Sequence, residues 1–170
     1  MIADFDPNCT TRQLNENDWS HYKDFCARLL EGQNLEDLAA FVCRKNPDDP
    51  QSWRDRLTKK DIISFGLFHK DNLIGHACIV FSDQNAEFTG IAIEPSYRKN
   101  GLADTLHHAR KRYLQSINFK GEVFAQILEE NTRSIEAASR NGFEAYGSRI
   151  DGEGNDATKY HLLRLRTLNL

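Results

Sequence analysis

The spacing of apolar positions changes period several times along the chain. From Trp19 to Leu30 (WSHYKDFCARLL) they recur at helical intervals, with Tyr22, Phe25, Cys26, Leu29 and Leu30 on one face and Asp18 placed as N-cap. NLEDLAAFV predicts a second helix capped at Asn34. KNPDDPQ then breaks the chain between prolines, and SWRDRL predicts a short third helix. Ahead of all three, TTRQL has the character of a strand.

After residue 60 the pattern becomes extended. DIISFGLFHKDNLIGHACIVF predicts two strands joined around HKDN, and AEFTGIAI a third. In GLADTLHHARKRYLQ the period is helical again, and Leu102, Leu106, Ala109 and Tyr113 form a face that can pack on a sheet. GEVFAQIL is expected as a strand. NTRSIEAASRNG is expected as a helix with Asn131 as its cap and Gly142 as its stop. FEAYGSR and KYHLLRLR close the chain as strands. This order describes a mixed α/β layer rather than a regular doubly wound one.

The 170 residues fit one domain, expected to span 1–170, with no repeat, low-complexity tract or flexible linker. A net charge of −3 argues against a nucleic-acid partner for the molecule as a whole, so any basic site is local. Cys9, Cys26, Cys43 and Cys78 show no C-x-x-C pair and no histidine at zinc-ligand spacing, so no metal is expected. The acidic N-terminal MIADFDPN does not read as a signal peptide, and no apolar run is long enough for a membrane span. A cytoplasmic protein without a membrane partner is the expectation.

Candidate chemistry gathers at YRKNGLAD, residues 97–104, where a strand hands over to a helix. A helix N-terminus presents unpaired N–H groups and partial positive charge. Gly101 lets the backbone approach a ligand closely, and Arg98 and Lys99 add charge around the same point. The turn therefore suits an anion. Neither G-x-x-x-x-G-K-[ST] nor G-x-G-x-x-G is present, which argues against an NTP loop or a dinucleotide fold.

R-K-N-G-L-A resembles the R/Q-x-x-G-x-G/A signature of the Gcn5-related N-acetyltransferase (GNAT) superfamily, with Arg98, Gly101 and Ala103 in the three defining places. Its flanks match as well: strand before, helix after, then a strand, an N-x-x-S helix and Gly142-Phe143. The resemblance covers roughly residues 62–166 and weakens over 1–60, the acceptor-side helices that vary within the family. It implies an acyl-CoA N-acyltransferase fold, with a mixed, mostly antiparallel central sheet of about six to seven strands flanked by helices. It also implies acetyl-CoA as acetyl donor, its pyrophosphate on the N–H groups of Lys99, Asn100, Gly101, Leu102, Ala103 and Asp104. The pantetheine arm would lie along Ile91, Ala92 and Ile93. Asn131 takes a pantetheine-contacting position, with Ser134 one turn on; as residue chemistry alone, Asn131 is equally a plain N-cap. Gly90, a glycine inside a strand, independently marks a bulge or close backbone approach.

The activity implied is direct acetyl transfer to a primary amine, with backbone N–H near Ile93 polarising the thioester carbonyl. Glu87 is the candidate general base: strand alternation puts Glu87, Thr89 and Ile91 on one face unless a bulge at Gly90 shifts the register. A solvated strand-end carboxylate is the competing reading. The family's usual tyrosine acid is replaced by Ala138, which keeps a non-catalytic acyl-CoA-binding module open as the alternative. Tyr146 is expected to be an inward aromatic of the sheet. Arg110, Lys111 and Arg112 are expected to form a cationic last helical turn. His76 is expected as a packed strand histidine, His69 as solvated, and His107 with His108 as a poor metal pair. Trp19, Phe25, Phe41 and Trp53 suit either the core or an acceptor channel. The acceptor expected is a small-molecule or peptide amine, left open between them, and a homodimer is compatible with the chain.

Overall fold

In the computed structural model, residues 8–31, 49–98, 101–153 and 157–166 are described. The expected helix at Asn34, together with Phe41, Cys43, Lys99 and Asn100, lies outside them.

Strands β1 (Cys9–Gln13), β2 (Ile62–His69), β3 (Asn72–Ser82), β4 (Asn85–Ile93), β5 (Val123–Leu128), β6 (Phe143–Asp151) and β7 (Thr158–Leu165) form a single sheet. Their order is β1-β2-β3-β4-β5-β7-β6. Every neighbouring pair is antiparallel except β4 and β5. Helices α1 (Trp19–Glu31) and α2 (Pro50–Leu57) cover one face, and α3 (Leu102–Ser116) and α4 (Thr132–Arg140) the other. The expected sheet is present, with seven strands.

Each face has its own core. Leu102, Leu106 and Leu114 of α3 pack with Phe65, Leu67, Ile79, Phe88 and Phe143. Tyr22, Phe25 and Leu29 of α1 pack with Trp53, Leu57, Phe68 and Ala92. Trp53 is thus core, 2% exposed. Burying an aromatic or leucine side chain contributes about 1.5–3 kcal/mol, so these two clusters clamp the helices to the sheet.

Three local expectations change. Asp18 does not act as a simple N-cap of α1: a 3-10 turn, Glu16–Asp18, capped by Asn15, leads into the helix, and Asp18 closes that turn's capping box. The helix α2 starts two residues earlier than SWRDRL, because Asp49 accepts from the N–H groups of Gln51 and Ser52 and Pro50 takes the first turn. Leu30 is 37% exposed, so the buried stripe of α1 ends at Leu29.

Candidate active site

Strand β4 carries a bulge. Cys78 pairs with Thr89 and His76 with Ala92, so Gly90 and Ile91 together oppose Ala77. Gly90 has φ +67°, which only glycine adopts cheaply. The extra residue inverts the facing of the rest of the strand. Ala86, Phe88, Ile91 and Ile93 pack on the α3 side, whereas Ala92 belongs to the α1 core. Glu87 and Thr89 remain on the α1 side, so the expected common face of Glu87, Thr89 and Ile91 is broken at Ile91.

Beside the bulge the sheet opens. Strands β4 and β5 pair only at Ala86–Val123 and Glu87–Phe124 and then diverge. Glu94 N–H donates to the carbonyl of Ile74 at 2.9 Å. Antiparallel alternation then turns the N–H and C=O of Ile93 away from β3 and toward this gap. The Ile93 carbonyl there accepts from Arg98 Nε at 2.8 Å. Arg98 therefore ties the turn back to β4.

After the turn, Gly101 caps α3 with φ +70°. The N–H groups of Leu102 and Ala103 begin the helix and have no intrahelical carbonyl to meet. Asp104 differs from expectation: its N–H donates to Gly101 C=O at 3.0 Å. Its carboxylate accepts from Asn141 Nδ2 at 2.8 Å, fastening α3 to the end of α4. Across the gap, just beyond β5, Asn131 caps α4 by accepting from Ser134 N–H at 3.2 Å. Ile93, Gly101, Leu102 and Ala103 thus follow one another from β4 through the turn into α3, and Asn131 follows the diverging strand β5.

Glu87 sits on the α1 face where β4 and β5 still touch. Burial pushes its carboxyl above the ordinary carboxylate range, against the opposing pull of Arg149 and a hydrogen bond with Gln126. It is a half-buried, destabilised carboxylate, not a solvated strand end. The Oε1 of Gln126 is buried without a hydrogen-bond partner. A buried orphan acceptor beside a carboxylate is a ready place for the N–H groups of an amine. Nothing in the sequence pointed to Gln126 or Arg149, because the short parallel register of β4 and β5 brings Gln126 beside Glu87 and Arg149 comes from β6, two strands further on.

Arg110 was also missed. It is fully buried, donating through Nη1 to the carbonyls of Cys78 at 3.2 Å and Thr89 at 3.4 Å. Its Nη2 lies 3.1 Å from His107 Nδ1, and its guanidinium stacks 4.2 Å from the Phe88 ring centroid. The expected cationic last turn does not form: α3 runs on to Ser116, and Lys111 is buried too. A readable signal existed, since Leu106, Arg110 and Leu114 lie four apart on the inward stripe.

Tyr146 is 53% exposed rather than inward, its ring 5.9 Å from that of Phe124. Ala138 is fully buried in the core. His76 is packed as expected, against Tyr22 at 4.7 Å between ring centroids. His69 is not free in solvent, with Nδ1 3.4 Å from the Tyr97 hydroxyl. A larger hollow of about 560 Å³ at the start of β5, lined by Lys120, Glu122 and Arg164 among others, has neither Glu87 nor Gly101 in its lining.

The fold is that of the GNAT acetyltransferases. A GNAT-family acetyltransferase from Streptococcus pneumoniae aligns with TM-score 0.74 at 14% identity, over 92% of this chain and 99% of that one. A spermidine N-acetyltransferase chimera from Vibrio cholerae and hSSAT aligns with 0.70 at 16%, over 93% and 95%. Arabidopsis thaliana NAA60 in complex with acetyl-CoA aligns with 0.66 at 14%, over 92% and 97%. Among curated proteins, none matches this sequence. The sequence profile of the Acetyltransferase (GNAT) family matches residues 26–143, more than half the chain, and the protein belongs to that family.

Proposed function

We propose that this protein transfers an acetyl group from acetyl-CoA to a primary amine by direct attack within a ternary complex. The observation that supports the reading is the course of β4: Glu87 stands before the bulge, the Ile93 N–H after it is turned away from β3, and the Gly101 helix start follows. Residues Leu102 and Ala103 would hold the pyrophosphate through N–H groups, and Asn131 and β4 would border the pantetheine arm. That a structural neighbour binds acetyl-CoA supports this donor.

The chemistry rests on the groups present. The amine nitrogen forms a bond to the thioester carbon while the carbon–sulfur bond breaks, and the carbonyl oxygen gains negative charge facing the Ile93 N–H. One amine proton passes to Glu87, directly or through water. A carboxylate raised toward neutrality is a better base than an ordinary one. With Ala138 buried where a tyrosine would stand, the leaving thiolate takes its proton from water. That same alanine favours the second reading, an acyl-CoA-binding protein without turnover. Free thiol released from acetyl-CoA in the presence of a primary-amine panel tests the proposal. Release with no member of the panel, under conditions where acetyl-CoA binds, would sink it.

A further inference from the structure

Next to Glu87, under α1, lies a cavity of about 190 Å³. Its roof is Tyr22, Phe25 and Leu29, and its floor and walls include Ile62, Val80 and Ala92. Val80 is the direct ladder partner of Glu87, so the cavity opens from the carboxylate's own neighbourhood. An apolar cavity of about 150 Å³ holds a benzene molecule, so this one has room for a six-carbon group.

The polar groups in it are neutral at pH 7. His76 is pushed down to about 4, chiefly by burial and then by Arg110. Burial raises the Cys78 thiol, whose Sγ lies 3.5 Å from His76 Nε2. Among the described residues, no aspartate or glutamate lines the cavity. The charge bonded to its walls is positive: Arg110 donates to the carbonyls of Cys78 and Thr89, two of the lining residues. A cation carried to its far end from Glu87 would lose its hydration and meet a like charge, with no carboxylate among the described lining residues to offset either cost. An anionic end would stand across the sheet from the guanidinium, which stacks on Phe88 in the α3-side core, with Nη1 and Nη2 engaged and Nε buried there.

We propose that this cavity is the acceptor-specificity pocket and that it takes an uncharged apolar group, about six carbons long or a phenyl ring, carried by the amine that reacts beside Glu87. The inference rests on the transferase reading and narrows it to hydrophobic amines, excluding polyamines. The acceptor fits better than the donor's acyl tail as occupant. The cavity shares the face of Glu87 and Thr89, whereas Ile91 and Ile93, which border the acyl-CoA gap, face the opposite core.

The test uses two amines of equal length, n-hexylamine and cadaverine, which differ only in a terminal methyl or ammonium group. With acetyl-CoA, kcat/KM for hexylamine should exceed that for cadaverine by about 100-fold or more. Val80→Phe, which fills the cavity, should cut the hexylamine value about 10-fold while acetyl-CoA still raises Tm. Equal or better use of cadaverine overturns the pocket's assignment. So does a Val80→Phe effect confined to hexanoyl-CoA as donor with ethylamine as acceptor, which would place the acyl tail there. If no amine releases thiol, the transferase reading fails instead, and the pocket is judged by saturation-transfer NMR of the two amines on the free protein. Saturation of hexylamine alone supports the apolar pocket; saturation of cadaverine to the same degree overturns it.

Discussion

Arg110 and Thr89 are joined across the bulge: Nη1 of the one donates to the carbonyl of the other at 3.4 Å, and the same nitrogen reaches Cys78 C=O at 3.2 Å. Both carbonyls flank the point where β4 gains its extra residue. The guanidinium is fully buried, and burial pushes its pKa down to about 9, so it remains charged at neutral pH. A buried cation is a costly way to satisfy two carbonyls. Lying beneath the site, it clasps both strands where the bulge forms.

Arg110→Ala should therefore destabilise the fold by about 3–5 kcal/mol, since it leaves a void and two carbonyls without their donor. Arg110→Met, which restores volume without charge or donor, should recover the part of that loss due to the void. Acetyl-CoA should still raise its Tm, yet kcat should fall about 10-fold or more, because the Gly90 region is no longer held from below. Denaturant unfolding and steady-state kinetics on both variants check this, and a Met variant with full kcat would reduce Arg110 to packing.

Gly101 makes the second prediction. At 100 times its dissociation constant, acetyl-CoA should add about 2.7 kcal/mol to stability by linkage. Gly101→Val should abolish that shift, because φ +70° is strained for a β-branched residue and its side chain would stand in the mouth of the turn. Some loss of stability will accompany it, so the readout is the ligand-induced change in Tm, not Tm itself. Gly101→Ala, milder in both respects, should keep part of the shift.

The third concerns the support of α1. Asp18 accepts from both terminal nitrogens of Arg12, at 2.6 and 2.8 Å, and from Asn15 N–H at 2.9 Å. These bonds, the Arg12 pair foremost, hold its carboxyl below the ordinary carboxylate range. A depressed pKa contributes stability that is present above the unfolded value and lost as pH falls through the folded one. Asp18→Asn should cost about 1–3 kcal/mol at pH 7. The gap between variant and wild type should close as pH drops below the ordinary aspartate range, which urea melts across pH 2–7 would reveal.

Much of this fold is legible in the chain because local signals agree with tertiary ones. The stripe Leu102, Leu106 and Ala109 is buried as its spacing requires, and Asn131 caps α4. What escaped were features that a period cannot express. The bulge at Gly90 flips Ile91 to the other face, and alternation has no place for an inserted residue. For Arg110 the period was readable but hydropathy overrode it: a cation is assigned to the surface, and only the carbonyls of two other strands make its burial tolerable. Gln126 gains its meaning from a two-residue parallel register with no local code at all.

Glu87 carries the last prediction, because its half-burial bears on activity and stability in opposite senses. If it takes the amine proton, Glu87→Gln should keep the acetyl-CoA Tm shift and lower kcat by about 10²-fold or more. The deficit should shrink as pH rises, since more of the amine is then already neutral. A carboxylate that only anchored a cationic acceptor would instead raise KM and leave kcat near wild type. The same substitution should raise Tm at pH 8. Burial raises the folded-state pKa, so the folded form binds the proton more tightly than the unfolded chain does. Stability is then lost as pH climbs from the ordinary glutamate value through the folded one, and glutamine avoids that loss. The Tm advantage of Glu87→Gln should accordingly be largest above the folded pKa and fade toward pH 4. A variant that loses kcat while gaining stability marks a carboxylate kept uncomfortable for its chemistry; one that changes neither returns Glu87 to the strand as an ordinary polar residue.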